Sequence, residues 1–267
     1  MIVVKIGGRT LQSNLEGIVD NISKLVEEKK EKFIIVHGGG QEIDEYTRKM
    51  NLEPKYVVSP SGIRSRLTDK EELKVVIMVL AGLINKNITH ELLKRNMAAI
   101  GLTGLDAKLV EGKKRDKIIV IDDRGRKRLV DAGYTGRIDK INKDYIAKML
   151  EIFNVIVLSP IIYSDDSPLN TDADYFASRI ACELQADALI YLTDVDGVLI
   201  NGVLQSKIAL SIASDILNKI GPGMNRKVMH AIEAYKCGVK KVVISNGLIS
   251  DPVEKALREQ GSVITGD

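Results

Sequence analysis

Ile2-Val-Val-Lys-Ile6, running into Gly7-Gly8, is an apolar run interrupted by one lysine and stopped by two glycines. It is apolar on both faces, as a strand is when helices cover both sides of a parallel sheet. The same reading applies to Phe33–Val36, Val155–Leu158, Ala188–Leu192, Lys241–Ile244 and Val263–Thr265. Amphipathic stretches lie between them: Leu15–Lys29, Glu42–Met50, Lys70–Asn96, Asn142–Glu151, Ala173–Gln185, Ile208–Lys219, Arg226–Cys237 and Val253–Gln260. Thr68-Asp69 predicts an N-cap for the longest of these, and Pro252 a first helical turn. This alternation predicts a three-layer α/β/α sandwich around a mainly parallel open sheet, with the loops after its strands along one edge.

One segment breaks the rhythm. Ile118-Ile-Val-Ile121, a turn at Asp122–Gly125, Lys127–Val130 and Gly133-Tyr-Thr-Gly136 read as a β-hairpin flap inserted over residues 108–138. With no long linker in the chain, the expectation is two lobes, 1–165 and 166–267.

The 267 residues are 45% hydrophobic and 28% charged, which excludes a collagen-like, disordered or disulfide-framework chain. No uninterrupted apolar run approaches the roughly 20 residues of a membrane helix, and Met1 leads directly into a strand without a signal-peptide pattern. Cys182 and Cys237 form no C-x-x-C pair and read as two thiols of a reducing cytosol. The expectation is a cytoplasmic protein with no membrane and no nucleic-acid partner. The net charge of +3 is unevenly placed, because Lys113–Arg128 holds eight basic and three acidic side chains. A basic patch on a near-neutral body suits either a solvated hairpin or a localised acidic partner.

Three glycine-rich loops lie near strand ends: Lys5–Arg9, His37–Gln41 and Gly221–Lys227. Glycine lets backbone N–H groups close on an anion, although neither the P-loop nor the Rossmann fingerprint is present. Lys5 is costly inside an apolar strand unless it is paired or used. Lys227 falls on a first helical turn, where the dipole disfavours a cation unless an anion binds there. Asn170 and Asp174, four residues apart, are expected on one helical turn facing one cleft, with Asp172 as a cap. The acids of Thr193–Val198 suit a turn, a metal ligand set or a nucleotide contact. His37, His90 and His230 stand in unrelated contexts, so no hydrolytic triad and no metal site is read, and His37 is expected to pack at a strand end. Chemistry without a protein nucleophile or base suits phosphoryl transfer to an already ionised carboxylate, where positioning and charge cancellation suffice.

K-I-G-G at Lys5–Gly8, V-H-G-G-G at Val36–Gly40, N-x-D-A-D at Asn170–Asp174, T-D-V-D-G-V from Thr193 and G-x-G-M-x-x-K ending at Lys227 occur in the order of the amino-acid kinase family, which the chain resembles over nearly its whole length. The resemblance implies an N-terminal lobe for an acid and a C-terminal lobe for ATP with Mg. It makes Lys5 and Lys227 the groups on the transferring phosphoryl and Asp174 their holder. Gly39, Gly40, Asn170 and either Arg64 or Arg66 would bind the acid. Gly7, Gly8, Thr193, Asp194, Gly197, Gly221, Gly223 and Met224 would line the nucleotide side.

Within the family the chain is similar to N-acetylglutamate kinases, but Gly62-Ile-Arg-Ser-Arg66 is two residues longer than their loop. That insertion, the Gly221–Lys227 loop and Gly133–Gly136 resemble the branch whose substrate is aminoadipate or glutamate on the small acidic carrier LysW. The resemblance implies a homodimer through Lys70–Asn96. It makes Lys113, Lys114, Arg115, Arg124, Arg126, Lys127 and Arg128 the carrier-docking cations. Lysine biosynthesis, and arginine biosynthesis with it, would be the setting. Phosphorylation of free N-acetylglutamate and a non-catalytic nucleotide or metabolite sensor are the other expectations.

Overall fold

The computed structural model describes residues 1–221 and 223–266; Pro222, within the Gly221–Lys227 loop, and Asp267 lie outside the described residues. The chain runs β1 (Ile2–Ile6), α1 (Gly8–Lys29), β2 (Phe33–His37), α2 (Gly40–Lys49), a hairpin of β3 (Tyr56–Val58) and β4 (Arg64–Arg66), then α3 (Lys70–Ile77). A π-helical segment, Met78–Ile84, continues α3 into α4 (Asn85–Lys94). β5 (Ala99–Gly104) leads to β6 (Val110–Lys114), β7 (Lys117–Ile121), β8 (Lys127–Asp131) and β9 (Gly136–Ile141). Next come α5 (Lys143–Ile152), β10 (Val155–Ile162), β11 (Leu169–Asn170), α6 (Ala173–Glu183) and β12 (Ala188–Thr193). A small hairpin of β13 (Leu199–Ile200) and β14 (Val203–Leu204) precedes β15 (Lys207–Ala209), α7 (Ala213–Lys219), α8 (Met224–Lys236), β16 (Lys241–Asn246), α9 (Pro252–Leu257) and β17 (Ser262–Thr265).

One nine-stranded sheet has the order β11-β10-β2-β1-β12-β16-β17-β15, with β5 also paired to β10. From β5 and β10 through β2, β1 and β12 to β16 the pairing is parallel, and β11 and β17 join antiparallel. Side chains alternate between two cores, as a strand period of two requires. Ile2, Val4 and Ile6 of β1 pack with α1, α3, α4 and α9. Val3 packs on the other side with α5, α6, α7 and α8. The three-layer α/β/α sandwich follows directly, and Lys5, two residues after Val3, projects toward α6 and α8. The flap is two hairpins, β6 with β9 and β7 with β8, closed at its tip by Asp122, whose side chain accepts from the Arg124 and Arg126 amides.

Several local expectations need correction. α1 starts at Gly8 rather than Leu15, with a non-helical residue at Asn14 whose side-chain amide donates to the Gly247 carbonyl at 2.8 Å. β5 carries no strong β pattern because Gly101 is glycine for packing: a Cβ there would stand 2.2 Å from Asn85 Oδ1 of α4. Ile208–Lys219 is not one helix; Lys207–Ala209 adds to β17 as a parallel strand, and Leu210–Ile212 is a 3-10 turn before α7. Asn170 lies in β11, outside the helix that holds Asp174. Lys70–Lys94 is long and apolar enough by composition to cross a membrane, and half of its most apolar window is buried in this protein. The two cysteines are not thiols: Cys182 in α6 and Cys237 just past α8 form a disulfide, with Cα atoms 5.8 Å apart. A separation of 55 residues leaves no local motif, and the bond removes the argument from free thiols to a reducing compartment.

Asp69 caps α3 through the Glu71 and Glu72 amides, and Pro252 opens α9, both as the sequence predicts.

Candidate active site

Lys5, Asp174 and Lys227 meet at the end of β1. Lys5 and Lys227 are each 7% exposed, so neither reaches bulk water. Lys5 Nζ lies 2.7 Å from Asp174 Oδ1. Lys227 Nζ lies 3.0 and 3.1 Å from the two oxygens of the same carboxylate. Strand alternation aims Lys5, helix start α6 supplies Asp174, and the first turn of α8 supplies Lys227. Tyr191, Lys5's partner on β12, donates its hydroxyl to the Asp174 carbonyl at 3.0 Å and lies under Lys227 Nζ.

Burial pushes the Asp174 carboxyl up, but the two ammoniums beside it hold it well below the usual carboxylate range. Burial pulls Lys5 down, and the attraction of Asp174 outweighs it, so Lys5 ends raised. For Lys227 burial wins: Asp174 supports it, the Lys5 charge opposes it, and the group ends lowered. One carboxylate is thus shared by two buried cations, and the second is short of negative charge. A buried cluster of this sign is a place for an anion.

Two glycine loops wall the cluster. The Gly7 amide donates to the Leu192 carbonyl at 3.2 Å, and the Gly38 amide to the Ile6 carbonyl at 3.1 Å, so both loops hang from the ends of β1 and its neighbours. They touch, since a Cβ on Gly8 would lie 3.6 Å from Gly39 Cα. Gly39 is also crowded from behind by Leu80 and Ile84 of the π-helical segment. Across the cluster, Gly223 at φ 92° caps α8, where Met224 begins the helix and the Lys227 amide donates back to the Gly223 carbonyl. That conformation needs glycine. Gly221 belongs to the same loop; Asn225 N donates to its carbonyl. Thr193 and Asp194 end β12, and Asp194 pairs with Arg9 of α1 at 2.9 Å. Gly197 is placed differently, packed against Ser262 of β17.

The two arginines of the β3–β4 hairpin are not equivalent. Arg66 is buried among Asp44, Glu72, the Tyr56 hydroxyl and the Gly40 carbonyl, fully engaged in holding α2. Arg64 stacks on the Tyr56 ring at 3.5 Å and makes no ion pair among the described residues. Asn170 donates to Thr68 Oγ1 at 3.0 Å, just beyond the hairpin. His37 is wholly buried, with Nδ1 3.1 Å from the Gly38 carbonyl, in its expected packing role.

The seven flap cations expected to dock a carrier are all exposed, but they are not equally committed. Lys113 pairs with Asp139, Lys114 with Asp131, and Arg126 and Arg128 with Asp122. Arg115, Arg124 and Lys127 make no ion pair among the described residues. A cavity of about 480 Å³ opens between the flap, the β3–β4 hairpin and α8; Arg115, Ile119, Ser65, Asp172, Arg226 and His230 line it. Among the described residues no three His, Cys, Asp or Glu side chains converge as metal ligands.

Sequence reading missed Arg226, Tyr191 and the Arg9–Asp194 pair. Arg226 stood one residue before Lys227, but its partners lie 54 and more residues away, beyond any local signal.

Residues 1–246 match the sequence profile of the amino acid kinase family. The LysW-aminoadipate/LysW-glutamate kinase of Sulfolobus acidocaldarius is 48% identical over 266 residues, covering 99% of this chain and all of that protein. The protein of the same name from Metallosphaera sedula is 44% identical, again over 99% of this chain and all of its own length. Among solved structures, smu.665 of Streptococcus mutans superposes with a TM-score of 0.80 at 28% identity, over 100% of this chain and 98% of that one. Profile, full-length relatives and a lysine–aspartate–lysine cluster between glycine loops agree: the chain belongs to the amino acid kinase family.

Proposed function

We propose that this kinase transfers the γ-phosphoryl group of ATP to the side-chain carboxylate of 2-aminoadipate or glutamate carried on LysW, as a step of lysine biosynthesis and, with glutamate, of arginine biosynthesis. The carrying observation is the buried Lys5–Asp174–Lys227 cluster, one negative charge short of neutral, between two glycine loops. The full-length likeness to relatives bearing that name supports the substrate.

Residues 1–165 serve the acid and 166–267 the nucleotide, and the cluster draws Lys5 from the first and Asp174 and Lys227 from the second. Gly39 and Gly40 bracket the reacting carboxylate with backbone N–H groups. Arg64 grips the substrate, because Arg66 is consumed in holding Asp44 and Glu72. Asn170 stands beside that grip. Gly7, Gly8, Thr193, Asp194, Gly221, Gly223 and Met224 face the nucleotide, and Gly197 shapes the turn behind them. A carboxylate oxygen attacks the γ-phosphorus in line, the bond from that phosphorus to the β–γ bridging oxygen breaks, and ADP leaves. The acceptor is already ionised near neutral pH, so no proton is moved and no base is needed. Lys5 and Lys227 offset the charge on the transferring oxygens, and Asp174 keeps both ammoniums aimed. Among the described residues the side chains form no cage for Mg²⁺; the ion travels with the phosphates of ATP, which suits its preference for phosphate and water ligands.

The flap docks the acidic carrier, with Arg115, Arg124 and Lys127 its uncommitted charges. A second copy of the chain covers Tyr46, Met50 and Met78, apolar side chains exposed by 36% or more around α2 and α3.

The deciding experiment compares ATP turnover with LysW-borne glutamate or aminoadipate against free N-acetylglutamate, at low and high salt. The carrier-borne acid should turn over about tenfold faster or better, and the advantage should shrink as salt screens the docking. Turnover of the free acid that is as fast and indifferent to salt would overturn the carrier reading. Lys227→Met should lose about 10²–10³ in kcat, the scale of one group that stabilises developing charge.

A further inference from the structure

Arg226 joins three elements that the proposed reaction needs in register. Its Nη1 lies 2.8 Å from Asp172 Oδ2, while Asp172 Oδ1 caps α6 two residues before Asp174. Its Nη2 donates to the Arg64 carbonyl at 2.9 Å and to Ser65 Oγ at 2.7 Å. Its own backbone sits in the first turn of α8, beside Lys227. The β3–β4 hairpin belongs to no larger sheet. Arg64, whose side chain has no carboxylate partner among the described residues, takes its aim from the backbone that Arg226 holds. A guanidinium fork can hold a carboxylate and two strand oxygens together; a lysine ammonium on a flexible stem offers no such fixed geometry.

We propose that Arg226 is a positioning residue that clasps the acid-side hairpin to the nucleotide-side helix, so that filling the phosphate loop at Gly221–Lys227 fixes the hairpin carrying Arg64. The inference rests on the preceding section only in taking that loop as the nucleotide side. It makes nucleotide and acid bind with mutual assistance, because each orders the same joined unit.

The test is hydrogen exchange across residues 56–66 with and without the ATP analogue AMP-PNP, in the full-length wild type, Arg226→Met, Arg226→Lys and the milder Ser65→Ala. In the wild type the analogue should slow exchange there by about fivefold or more, the low end of typical coupling. In Arg226→Met that protection should vanish while AMP-PNP affinity changes less than about threefold. Arg226→Lys and Ser65→Ala should each keep part of it, and Ser65→Ala should add nothing on top of Arg226→Met. With acid substrate present, KM for the acid should rise in Arg226→Met and the mutual assistance between the ligands should be lost. Equal protection in wild type and Arg226→Met, or none in the wild type, would overturn the clasp. A wild type that shows the protection yet ignores carrier-borne acids would overturn the substrate assignment and leave the clasp standing.

Discussion

At the scale of single residues, the chemistry rests on how few negative charges the sequence spends beside two buried lysines. Lys5 was legible because an ammonium inside an apolar strand needs a reason, and Lys227 because it stands against a helix dipole. The spacing from Asn170 points Asp174 into a cleft, but only the family resemblance ties it to the two lysines, and Asn170 itself lies in β11 rather than on that helix. His37 shows the opposite economy. Burial, with the Lys5 charge adding to it and only the Gly38 carbonyl opposing, lowers its imidazole to about 4. An unfolded histidine titrates near 6.5, so between about pH 6.5 and 4 the unfolded chain takes up a proton that the folded one refuses. Stability therefore falls as pH drops through that window, by about 3 kcal/mol in all. His37→Asn should flatten the dependence of the urea midpoint on pH between about 7 and 4.5. An unchanged slope would assign the acid sensitivity to other groups.

At the scale of elements, long apolar strands and strongly amphipathic helices were readable, and their ends were not. β5 was hidden because close approach by α4 demands glycine where a strand signal would want a branched residue. Residues 208–219 read as one helix because Ile208 fits both periods, and only pairing with β17 decides for a strand. The flap was read correctly as hairpins, but the sequence could not say which cations were already neutralised. Asp122 takes Arg126 and Arg128, which leaves Arg124 and Lys127 at the tip for a partner. Reversing both, Arg124→Glu with Lys127→Glu, should lower kcat/KM for carrier-borne acid about tenfold or more at low salt and much less at high salt. AMP-PNP affinity should not move. A loss shared by every substrate, or one indifferent to salt, would speak against docking by the flap.

At the scale of the whole molecule, a single sheet runs through both proposed lobes, with β1 at its centre pairing β2 on one side and β12 on the other. The architecture was legible because each strand and helix announces itself locally; the joints between distant parts were not. Arg226 with β4, Arg9 with Asp194, and Cys182 with Cys237 each bring together residues far apart in sequence. The apolar face around Met78, half exposed, is the other whole-molecule feature. Met78→Glu should shift the chain from dimer to monomer in sedimentation velocity, and a wild type that sediments as a monomer would refute the second copy there. The disulfide carries a further consequence. It closes residues 182–237 into a covalent ring that contains β12, β13 to β15, α7 and α8. A protease that nicks the exposed turn at Asn201-Gly202 would cut the backbone and release nothing, because both fragments stay tied through sulfur. Such a molecule would migrate as an intact polypeptide on a gel until reductant was added, so integrity measured without reductant would be overstated.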